Sequence, residues 1–481
     1  MSLRKLRRKL ATPIVAITLL GSSWNGNFPG KACFAEEWGR FRGANGTGIA
    51  GELHLDEGIS DEVLRWKRAV PAGTSSPVLV DGKLLITSHS SNDRVVHCFD
   101  SKTGEPQWEC KWDKSRTEVA TPPNGPATST PACDGQLVAT FFPDTGLVVC
   151  TMDGEKQWSK DLGPFSSMHG LSASPILHDG LVIMSIDQLV DPYIVAFDAQ
   201  TGKQKWRADR LIGITGGYST SSIMKLGKRT LIISASPGEM VAYDAKYGEK
   251  VVSVTGLTNA PVSVPVVVAD RVYYTEPRGE PIPMEALGNA DKNKDGVIEL
   301  EEVKNSIGTA RLIQRIDTGF GNGDGKVDQT EWEKGFGSFL NKGGFSCVRF
   351  QEKGESITAE VVWKYEKTTP YIASSLIIDD VAYVINDGGI LMAFNTENGD
   401  MLQRERVREG TGGYYASPIA GDGKIVLANL EGKVTLVQSG KPFKVLRTHS
   451  LEEPIVATPS ISDGQLYIRS ESQLFCFGTK G

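Results

Sequence analysis

Oxygen-bearing side chains recur at alternate positions of the segment DKNKDGVIELEE, residues 291–302. Carboxylate, amide and carbonyl oxygens at this spacing are typical of a calcium-binding loop, in which a central glycine lets the backbone turn sharply. Gly296 occupies that turn, and Ile298 occupies the apolar position that pairs with a second loop. The sequence therefore predicts a Ca²⁺ site in this loop. Its candidate ligands are Asp291, Asn293, Asp295, Val297 through its carbonyl, Glu299 and Glu302.

A second segment, FGNGDGKVDQTE at 320–331, follows the same spacing less closely. Phe320 stands at its first ligand position and cannot bind a cation, although Asp317 could reach back if the loop bulges. Val327 is the apolar partner expected for Ile298, so the two loops should pair whether or not the second one binds an ion. Candidate ligands in this weaker site are Asn322, Asp324, Lys326 through its carbonyl, Asp328 and Glu331.

The surroundings of both loops are acidic. Residues 285–335 contain 11 acidic and seven basic residues, and the resulting net charge of −4 favours a divalent cation. Exported modules of this type bind calcium with dissociation constants of about 10⁻⁴–10⁻³ M, which suffices for occupancy outside the cell. We expect residues 280–344 to form a small α-helical insertion around the two loops.

An internal repeat organises the rest of the chain. Its full form reads SSPVLVDGKLLITS followed by VVHCFDSKTGEPQWECKW, and it returns as SASPILHDGLVIMS followed by YIVAFDAQTGKQKWRAD. Eight copies occur, and each predicts four antiparallel strands with turns such as Asp81-Gly82. Units of this kind are typical of a β-propeller. The calcium-binding segment interrupts the fifth copy between its second and third strands, on the face where blade-to-blade connections surround the channel mouth.

The two ends of the repeat array are complementary. The last copy stops at LFCFGTKG after three strands, and a lone strand, EVLRWKRAV, precedes the first copy at 62–70. Because closure removes open sheet edges, the sequence predicts an all-β, eight-bladed propeller whose N-terminal strand, carrying Trp66, closes the last blade. Further tryptophans are expected to pack between neighbouring blades, namely Trp108, Trp158, Trp206 and Trp363.

The first 35 residues differ from the remainder of the chain. Basic residues in MSLRKLRRK precede the apolar run ATPIVAITLLG, which is too short to span a membrane. This order is typical of a secretory signal peptide, and a disordered basic tail or a misassigned start site is the alternative. The predicted organisation is a signal peptide at 1–35, an N-terminal extension at 36–61, the closing strand and blades 1–5 at 62–279, the insertion at 280–344, and the remainder of blade 5 to blade 8 at 345–481.

Charge and cysteine content restrict the partners and the redox chemistry. Because residues 1–35 contribute six positive charges and no acid to a chain of net charge −6, residues 36–481 carry a net charge of −12. Nucleic acid requires a basic surface and is therefore excluded as a main partner. We expect a monomer with no transmembrane segment. Cys98 and Cys110 would lie roughly opposite each other in one hairpin and could form a disulfide; buried free thiols are the alternative.

The segments FDSKTGEPQW and FDAQTGKQKW resemble the tryptophan-docking repeat of the pyrroloquinoline-quinone (PQQ)-like β-propeller family. The resemblance covers residues 60–481 except for the insertion, which resembles an EF-hand pair. The family includes quinoprotein alcohol dehydrogenases and the scaffold lipoproteins of bacterial outer-membrane barrel assembly. The dehydrogenases hold PQQ against a vicinal disulfide and a tryptophan, with calcium in the channel. No Cys-Cys pair occurs in this sequence, so PQQ is not expected as a cofactor.

Aromatic residues recur in the connections that enter the blades. His169, Tyr218, Tyr371 and Tyr414 are expected at the channel mouth, where they would form a ring suited to a sugar, a peptide or a quinone. Packing within the loops is the alternative. No HExxH or GxSxG motif indicates another catalytic site.

The sequence as a whole favours an exported calcium-binding propeller, periplasmic or extracellular, in a bacterial cell envelope. It would act as a non-catalytic scaffold or binding protein for a protein or glycan partner on its channel face. Two alternatives stay open, a PQQ-dependent oxidoreductase with an altered site and a carbohydrate-binding or carbohydrate-degrading propeller.

Overall fold

The computed structural model describes residues 38–55, 58–210, 216–257, 260–277, 283–337 and 343–478. The predicted signal peptide at 1–35 lies outside these residues. The described residues all belong to one unit, Glu36–Gly481, and most of them form eight four-stranded antiparallel sheets.

The first half of the chain supplies the closing strand and blades 1–4. Two short 3-10 helices, Ala44–Gly46 and Asp61–Val63, precede strand β1 (Leu64–Ala69). Blade 1 contains β2 (Val78–Val80), β3 (Lys83–His89), β4 (Asp93–Asp100) and β5 (Pro106–Asp113). Blade 2 contains β6 (Ala132–Cys133), β7 (Leu137–Phe142), β8 (Gly146–Thr151) and β9 (Lys156–Lys160). Blade 3 contains β10 (Ile176–His178), β11 (Leu181–Ile186), β12 (Tyr193–Asp198) and β13 (Gln204–Asp209). Blade 4 contains β14 (Ser222–Leu226), β15 (Arg229–Ser236), β16 (Glu239–Asp244) and β17 (Lys250–Thr255).

The second half begins with blade 5, which the insertion divides. Its first strands are β18 (Val266–Val268) and β19 (Arg271–Glu276). The insertion contains a 3-10 helix (Met284–Leu287), β20 (Ile298–Glu299), α1 (Leu300–Val303), α2 (Ile307–Phe320), β21 (Lys326–Val327) and α3 (Gln329–Gly337). Blade 5 resumes with β22 (Gly344–Lys353) and β23 (Ser356–Tyr365).

Blades 6–8 complete the ring. Blade 6 contains β24 (Leu376–Ile378), β25 (Val381–Asn386), β26 (Ile390–Asn395) and β27 (Met401–Arg406). Blade 7 contains β28 (Ile419–Gly421), β29 (Lys424–Ala428), β30 (Lys433–Gln438) and β31 (Lys444–Ser450). Blade 8 contains β32 (Ser460–Ser462), β33 (Gln465–Arg469) and β34 (Gln473–Phe477), together with β1.

Tight turns join the two inner strands within most blades. Asp81 and Gly82 have φ values of 50° and 71°, as a type I′ turn requires of its two central residues. Aspartate and glycine tolerate this left-handed region better than most residues do. The strands that these turns join are apolar, and the core residues of β3, such as Leu84 and Ile86, are fully buried. Turn residues and apolar strands within each copy therefore specify its hairpin locally.

The N-terminal strand closes the ring as predicted. β1 pairs with β34 in antiparallel register, and Trp66 lies opposite Cys476. One four-stranded sheet thus combines strands from both ends of the described chain, in the order β1-β34-β33-β32. The predicted eight-bladed propeller with a shared last blade is confirmed.

Tryptophans on the outer strands fasten blades to their neighbours. The indole Nε1 of Trp158 donates to the carbonyl of Ala199 at 2.8 Å, and a Cβ added to Gly202 would lie 2.7 Å from the indole ring. Among the described residues this combination of hydrogen bond and turn glycine occurs five times. The pairs are Trp66–Gly104, Trp108–Gly154, Trp158–Gly202, Trp206–Gly248 and Trp363–Gly399.

The insertion between β19 and β22 has an apolar core of its own. Ile298 pairs with Val327 across the short sheet of β20 and β21, and Trp332 is fully buried beside them. Glu276 pairs with Gly344, so the propeller hairpin continues directly on both sides of the insertion. The first loop follows a single 3-10 turn instead of a full α-helix.

Candidate functional site

A cavity of about 260 Å³ lies at the mouth of the central channel. Its walls come from the connections that lead from the outer strand of one blade to the inner strand of the next. Thr121, His169, Tyr218, Tyr371 and Tyr415 line it, each from a different connection. The insertion emerges at this same end of the blades, because strand direction alternates and it follows a second strand.

A ring of hydroxyl groups forms the inner wall of this cavity. In successive blades, the backbone N–H at the start of the inner strand donates to a serine or threonine hydroxyl of the next blade. Val264 occupies the equivalent position in blade 5 and presents no hydroxyl. Six bonds of 2.9–3.0 Å result, from Ser76 to Thr130, Thr130 to Ser174, Ser174 to Thr220, Val264 to Ser374, Ser374 to Ser417 and Ser417 to Thr458.

This hydroxyl ring was missed by sequence reasoning, although the repeat carries its signal. Seven of the eight copies have a serine or threonine just before the inner strand, at positions 76, 130, 174, 220, 374, 417 and 458. Each hydroxyl accepts a hydrogen bond from a neighbouring blade and keeps its own proton to donate. The channel wall is therefore polar, uncharged and held in place by inter-blade bonds.

Three of the four aromatic residues predicted at the mouth line the cavity. The ring centroids of His169 and Tyr218 lie 6.2 Å apart, and His169 Nδ1 is 3.2 Å from the Thr121 hydroxyl. Burial raises the pKa of Tyr218, so its hydroxyl stays protonated at neutral pH. Tyr371 is 58% exposed and presents its ring to solvent.

Tyr414 does not lie at the channel mouth. Its ring is buried in the core between blades, and its hydroxyl donates to the carbonyl of Gly410 at 2.7 Å. The next residue, Tyr415, lines the cavity in its place. Successive side chains in an extended segment point to opposite sides, so a one-residue error exchanges a core position for a cavity position.

The N-terminal segment at 38–55 crosses the central channel. It touches six blades, four of them at the inner strand and two beside it, and Phe41 reaches the mouth cavity. The segment thereby fills the channel below the cavity. Its bonds to the blades include Leu79 N to Trp38 O (3.0 Å), Cys133 N to Gly39 O (2.7 Å), Ile223 N to Asn45 Oδ1 (2.8 Å), Arg42 Nη2 to Ser375 O (2.7 Å), Ala420 N to Gly48 O (2.7 Å) and His54 N to Gly464 O (2.7 Å).

Two arginines of this segment lie in the channel, and neither forms an ion pair with a described residue. Arg42 is fully buried and donates to the carbonyls of Gly46 and Ser375. Burial lowers the pKa of Arg40 to about 10 and that of Arg42 to about 9. Both guanidinium groups therefore stay charged at neutral pH, and backbone carbonyls provide their stabilising partners.

The first predicted calcium loop has its carboxylates directed inward. Gly296 N donates to Asp291 Oδ2 at 2.9 Å, and Asn293 N donates to Glu302 Oε1 at 3.1 Å. Glu299 N donates to Glu302 Oε2 at 3.0 Å, so the last carboxylate of the loop is held from both sides. These bonds hold the carboxylates of the first and last predicted ligands against backbone N–H groups of the loop.

The second loop lies beside the first. Lys326 Nζ contacts Glu299 Oε1 at 2.6 Å across the two-stranded sheet. Asn322 N donates to Glu331 Oε1 at 3.1 Å, which repeats the bond of the first loop. Asp328 Oδ1 accepts from Glu331 N at 2.7 Å and starts α3.

Within the described ranges, no three or more His, Cys, Asp or Glu side chains converge as a metal-binding group. Calcium loops of the predicted type also use amide and backbone carbonyl oxygens as ligands.

The cofactor implied by the fold family does not fit the mouth cavity. PQQ carries several carboxylates, which require cationic partners. None of the described residues lining the cavity is Lys, Arg, Asp or Glu. No step of a quinone reaction is therefore assigned to these residues.

The predicted pairing of Cys98 with Cys110 is wrong in register. A bulge between Cys98 and Phe99 places Cys98 opposite Trp108, and Cys110 lies opposite Val96. The six described cysteines are buried free thiols, at positions 98, 110, 133, 150, 347 and 476. In addition, none of the helices in the described part of the chain has the length and apolarity needed to cross a membrane.

Comparison with known proteins gives matches of two kinds. A family model described as outer membrane protein assembly factor BamB matches residues 58–188 and 92–290. The outer membrane protein assembly factor BamB of Burkholderia pseudomallei (strain K96243) is 26% identical over 221 residues, which cover 45% of this chain and 50% of that protein. The aligned region thus spans about half the length of this curated relative.

Solved structures share the fold over most of the chain. BamB from Moraxella catarrhalis has a TM-score of 0.52 and 12% identity, covering 86% of this chain and 98% of that one. The quinohemoprotein alcohol dehydrogenase ADHIIG from Pseudomonas putida HK5 has a TM-score of 0.54 and 11% identity, covering 93% and 81%. At such identities the likeness shows the fold alone. The family model and the repeats thus make residues 58–290 similar in sequence to the PQQ-like β-propeller family, and the likeness to solved structures shows the propeller fold over most of the chain.

Proposed function

We propose that this chain is an exported, non-catalytic binding protein that holds a partner at its channel mouth and carries calcium in the loop at 291–302. The chemistry of the mouth cavity carries the proposal. Aromatic rings surround a wall of hydroxyl groups, and the described lining residues include no carboxylate and no cationic side chain. His169 Nδ1 contacts a threonine hydroxyl, and among the described residues no carboxylate pairs with this imidazole to orient it for general-base chemistry.

The partner that fits this surface best is an extended segment of another protein that is uncharged where it contacts the first cavity; Glu471 lines the second. A second cavity of about 540 Å³ adjoins the first and shares Pro122 and Tyr415 with it, so the concave surface is longer than a small ligand requires. The relatives named as assembly factors support a role in holding another protein. A glycan is the second candidate, because tyrosine faces above hydroxyl groups also suit sugar rings.

Affinity capture from envelope extracts tests this binding face. We expect the double variant Tyr371→Ala/Tyr415→Ala to lose about 90% or more of the captured partner, since aromatic anchors dominate such interfaces. Tyr247→Ala is the matched control, because Tyr247 is 59% exposed but lies in the outer turn of blade 4. Equal capture by both variants would place the binding surface elsewhere.

Two further assays, one with glycans and one with PQQ, distinguish protein binding from the competing functions. In the first assay, the protein is applied to a glycan array instead of an envelope extract. Glycan binding that depends on Tyr371 and Tyr415 would identify a sugar as the ligand. Dye-linked dehydrogenase activity after addition of PQQ and Ca²⁺ would overturn the non-catalytic proposal.

Calcium binding by the first loop has a test of its own. We expect Glu302→Gln to weaken calcium binding by at least about tenfold, because it removes the charge of the last loop carboxylate, which backbone N–H groups hold through both of its oxygens. Isothermal titration of the chelator-treated protein measures this change. An unchanged calcium affinity would refute calcium binding by this loop. It would not affect the proposal that the mouth cavity binds a partner.

A further inference from the structure

Asp317 lies on the last turn of α2, three residues before the position at which the second loop should supply its first ligand. It is 2% exposed, and its Oδ2 accepts a hydrogen bond from Gly325 N at 3.0 Å. Its Oδ1 is buried and has no hydrogen-bond partner among the described residues. A buried carboxylate oxygen without a partner is costly unless a cation or donor compensates it.

The same hydrogen bond identifies the role of Asp317. In the first loop, the turn glycine Gly296 donates to Oδ2 of Asp291, the first predicted ligand, at 2.9 Å. In the second loop, the turn glycine Gly325 donates to Oδ2 of Asp317 instead. Asp317 therefore corresponds in position to Asp291 of the first loop. More residues separate Asp317 from the turn glycine than separate Asp291 from its own.

Helical geometry explains how the extra residues fit. α2 continues through Phe320, and three helical residues advance the chain by only about 4.5 Å. Gly321 then lies between the two carboxylate-bearing segments. A Cβ at Gly321 would fall 2.6 Å from Glu331 Oε1 and 2.8 Å from the Asp317 carbonyl. A glycine at this position thus lets the Glu331 carboxylate pack against the end of the helix that carries Asp317.

The remaining positions of the second loop repeat the first. Asp324 N donates to Asn322 Oδ1 at 2.9 Å, and Asp295 N donates to Asn293 Oδ1 at the same distance. Lys326 N donates to Asp324 Oδ1 at 2.9 Å, as Val297 N does to Asp295 Oδ1. The aromatic residue at the nominal first position therefore leaves the rest of the loop unchanged.

We propose that the second loop is a calcium site in which Asp317, through its unpartnered Oδ1, replaces the ligand that Phe320 cannot provide. The other ligands are Asn322, Asp324, the carbonyl of Lys326 and Glu331. These are hard oxygen donors of the kind that Ca²⁺ takes. Asp328 is not included in this set; its Oδ1 accepts from Glu331 N at the start of α3, as the Glu299 side chain accepts from Glu302 N in the first loop.

Isothermal titration with CaCl₂ on the full, chelator-treated protein tests the second site. We expect two equivalents of calcium for the wild type and one for Asp317→Asn, with about a tenfold or greater loss of affinity at the lost site. Glu302→Gln should retain the second site and lose the first. Glu333→Gln removes the same charge from an exposed position of α3 and should still bind two equivalents.

Asp324→Asn provides an independent check, because Asp324 is exposed and its replacement leaves the buried core of the insertion intact. Asp324→Asn should lose the same equivalent of calcium as Asp317→Asn. It tests the second site even if Asp317→Asn folds poorly. Two equivalents of unchanged affinity in Asp324→Asn, or in folded Asp317→Asn, would overturn the second site. Calcium binding that Glu302→Gln abolishes altogether would overturn it as well, while supporting the first loop. No binding by the wild type would refute both.

Discussion

His97 is a buried titratable group in blade 1 that does not line either cavity of the proposed binding face. Its Nε2 lies 2.6 Å from the Ser88 hydroxyl, and its Nδ1 lies 3.1 Å from Glu109 Oε1. Burial lowers the pKa of His97, and the nearby Glu109 carboxylate only partly opposes this shift. The imidazole is therefore held neutral by its surroundings over part of the acidic range.

This burial predicts a loss of stability in mild acid. The folded-state pKa of His97 lies below the unfolded value of about 6.5, so the unfolded chain binds a proton more readily as pH falls. The free energy of unfolding should therefore decrease from pH 7 towards pH 5. We expect His97→Gln to show a shallower decrease in urea denaturation at these pH values.

The exposed histidine variant His54→Gln serves as the control and should follow the wild type. A decrease in His97→Gln as steep as that of the wild type would contradict the assignment. Burial also lowers the pKa of His89 and His178, which accounts for the slope expected to persist in His97→Gln.

At the scale of the secondary-structure element, the recurring contact between a tryptophan and a turn glycine explains how separate blades form one ring. The indole of one blade covers a turn glycine of the next and donates to a carbonyl of the same turn. Two constraints require glycine at this position. Its φ is positive, and the indole ring leaves no room for a Cβ. Gly202 illustrates both constraints, since its φ is 66° and a Cβ at this position would lie 2.7 Å from the ring.

A pair of alanine substitutions in blade 3 separates these two constraints. Gly180→Ala changes a residue with φ 73° and no neighbour within 4 Å, so it should cost only the left-handed strain of about 1–2 kcal/mol. Gly202→Ala adds a clash with Trp158 and should cost about 1–3 kcal/mol more. Chemical denaturation measures both differences. Equal destabilisation would mean that the indole moves aside freely.

At the scale of the whole molecule, two segments are added to the ring without opening it. Residues 38–55 fill the channel through bonds to several blades, and the insertion extends from a single hairpin. The insertion keeps its own core around Ile298, Val327 and Trp332. Its chain leaves and re-enters the propeller at the paired strands β19 and β22.

Removing the insertion should accordingly leave the propeller folded. We expect replacement of residues 278–342 by a short glycine-containing turn to shift the melting temperature by no more than about 4 °C, since Glu276 already pairs with Gly344. Circular dichroism and calorimetry measure the change. The control is a variant in which the same glycine-containing turn replaces the exposed turn at Gly354. Loss of the cooperative transition would show that the insertion supports the ring.

The sequence by itself determined the blade count, the shared last blade and the inter-blade tryptophans, because strand periodicity, turn residues and the repeat are encoded locally. It also indicated the calcium loops, whose proposed ligands follow a fixed spacing along the chain. Only the tertiary structure decided that Tyr415 and not Tyr414 faces the cavity, that residues 38–55 occupy the channel, and that Asp317 meets the second loop. Side-chain direction in irregular connections and contacts between distant segments depend on packing, which no local period of the sequence specifies.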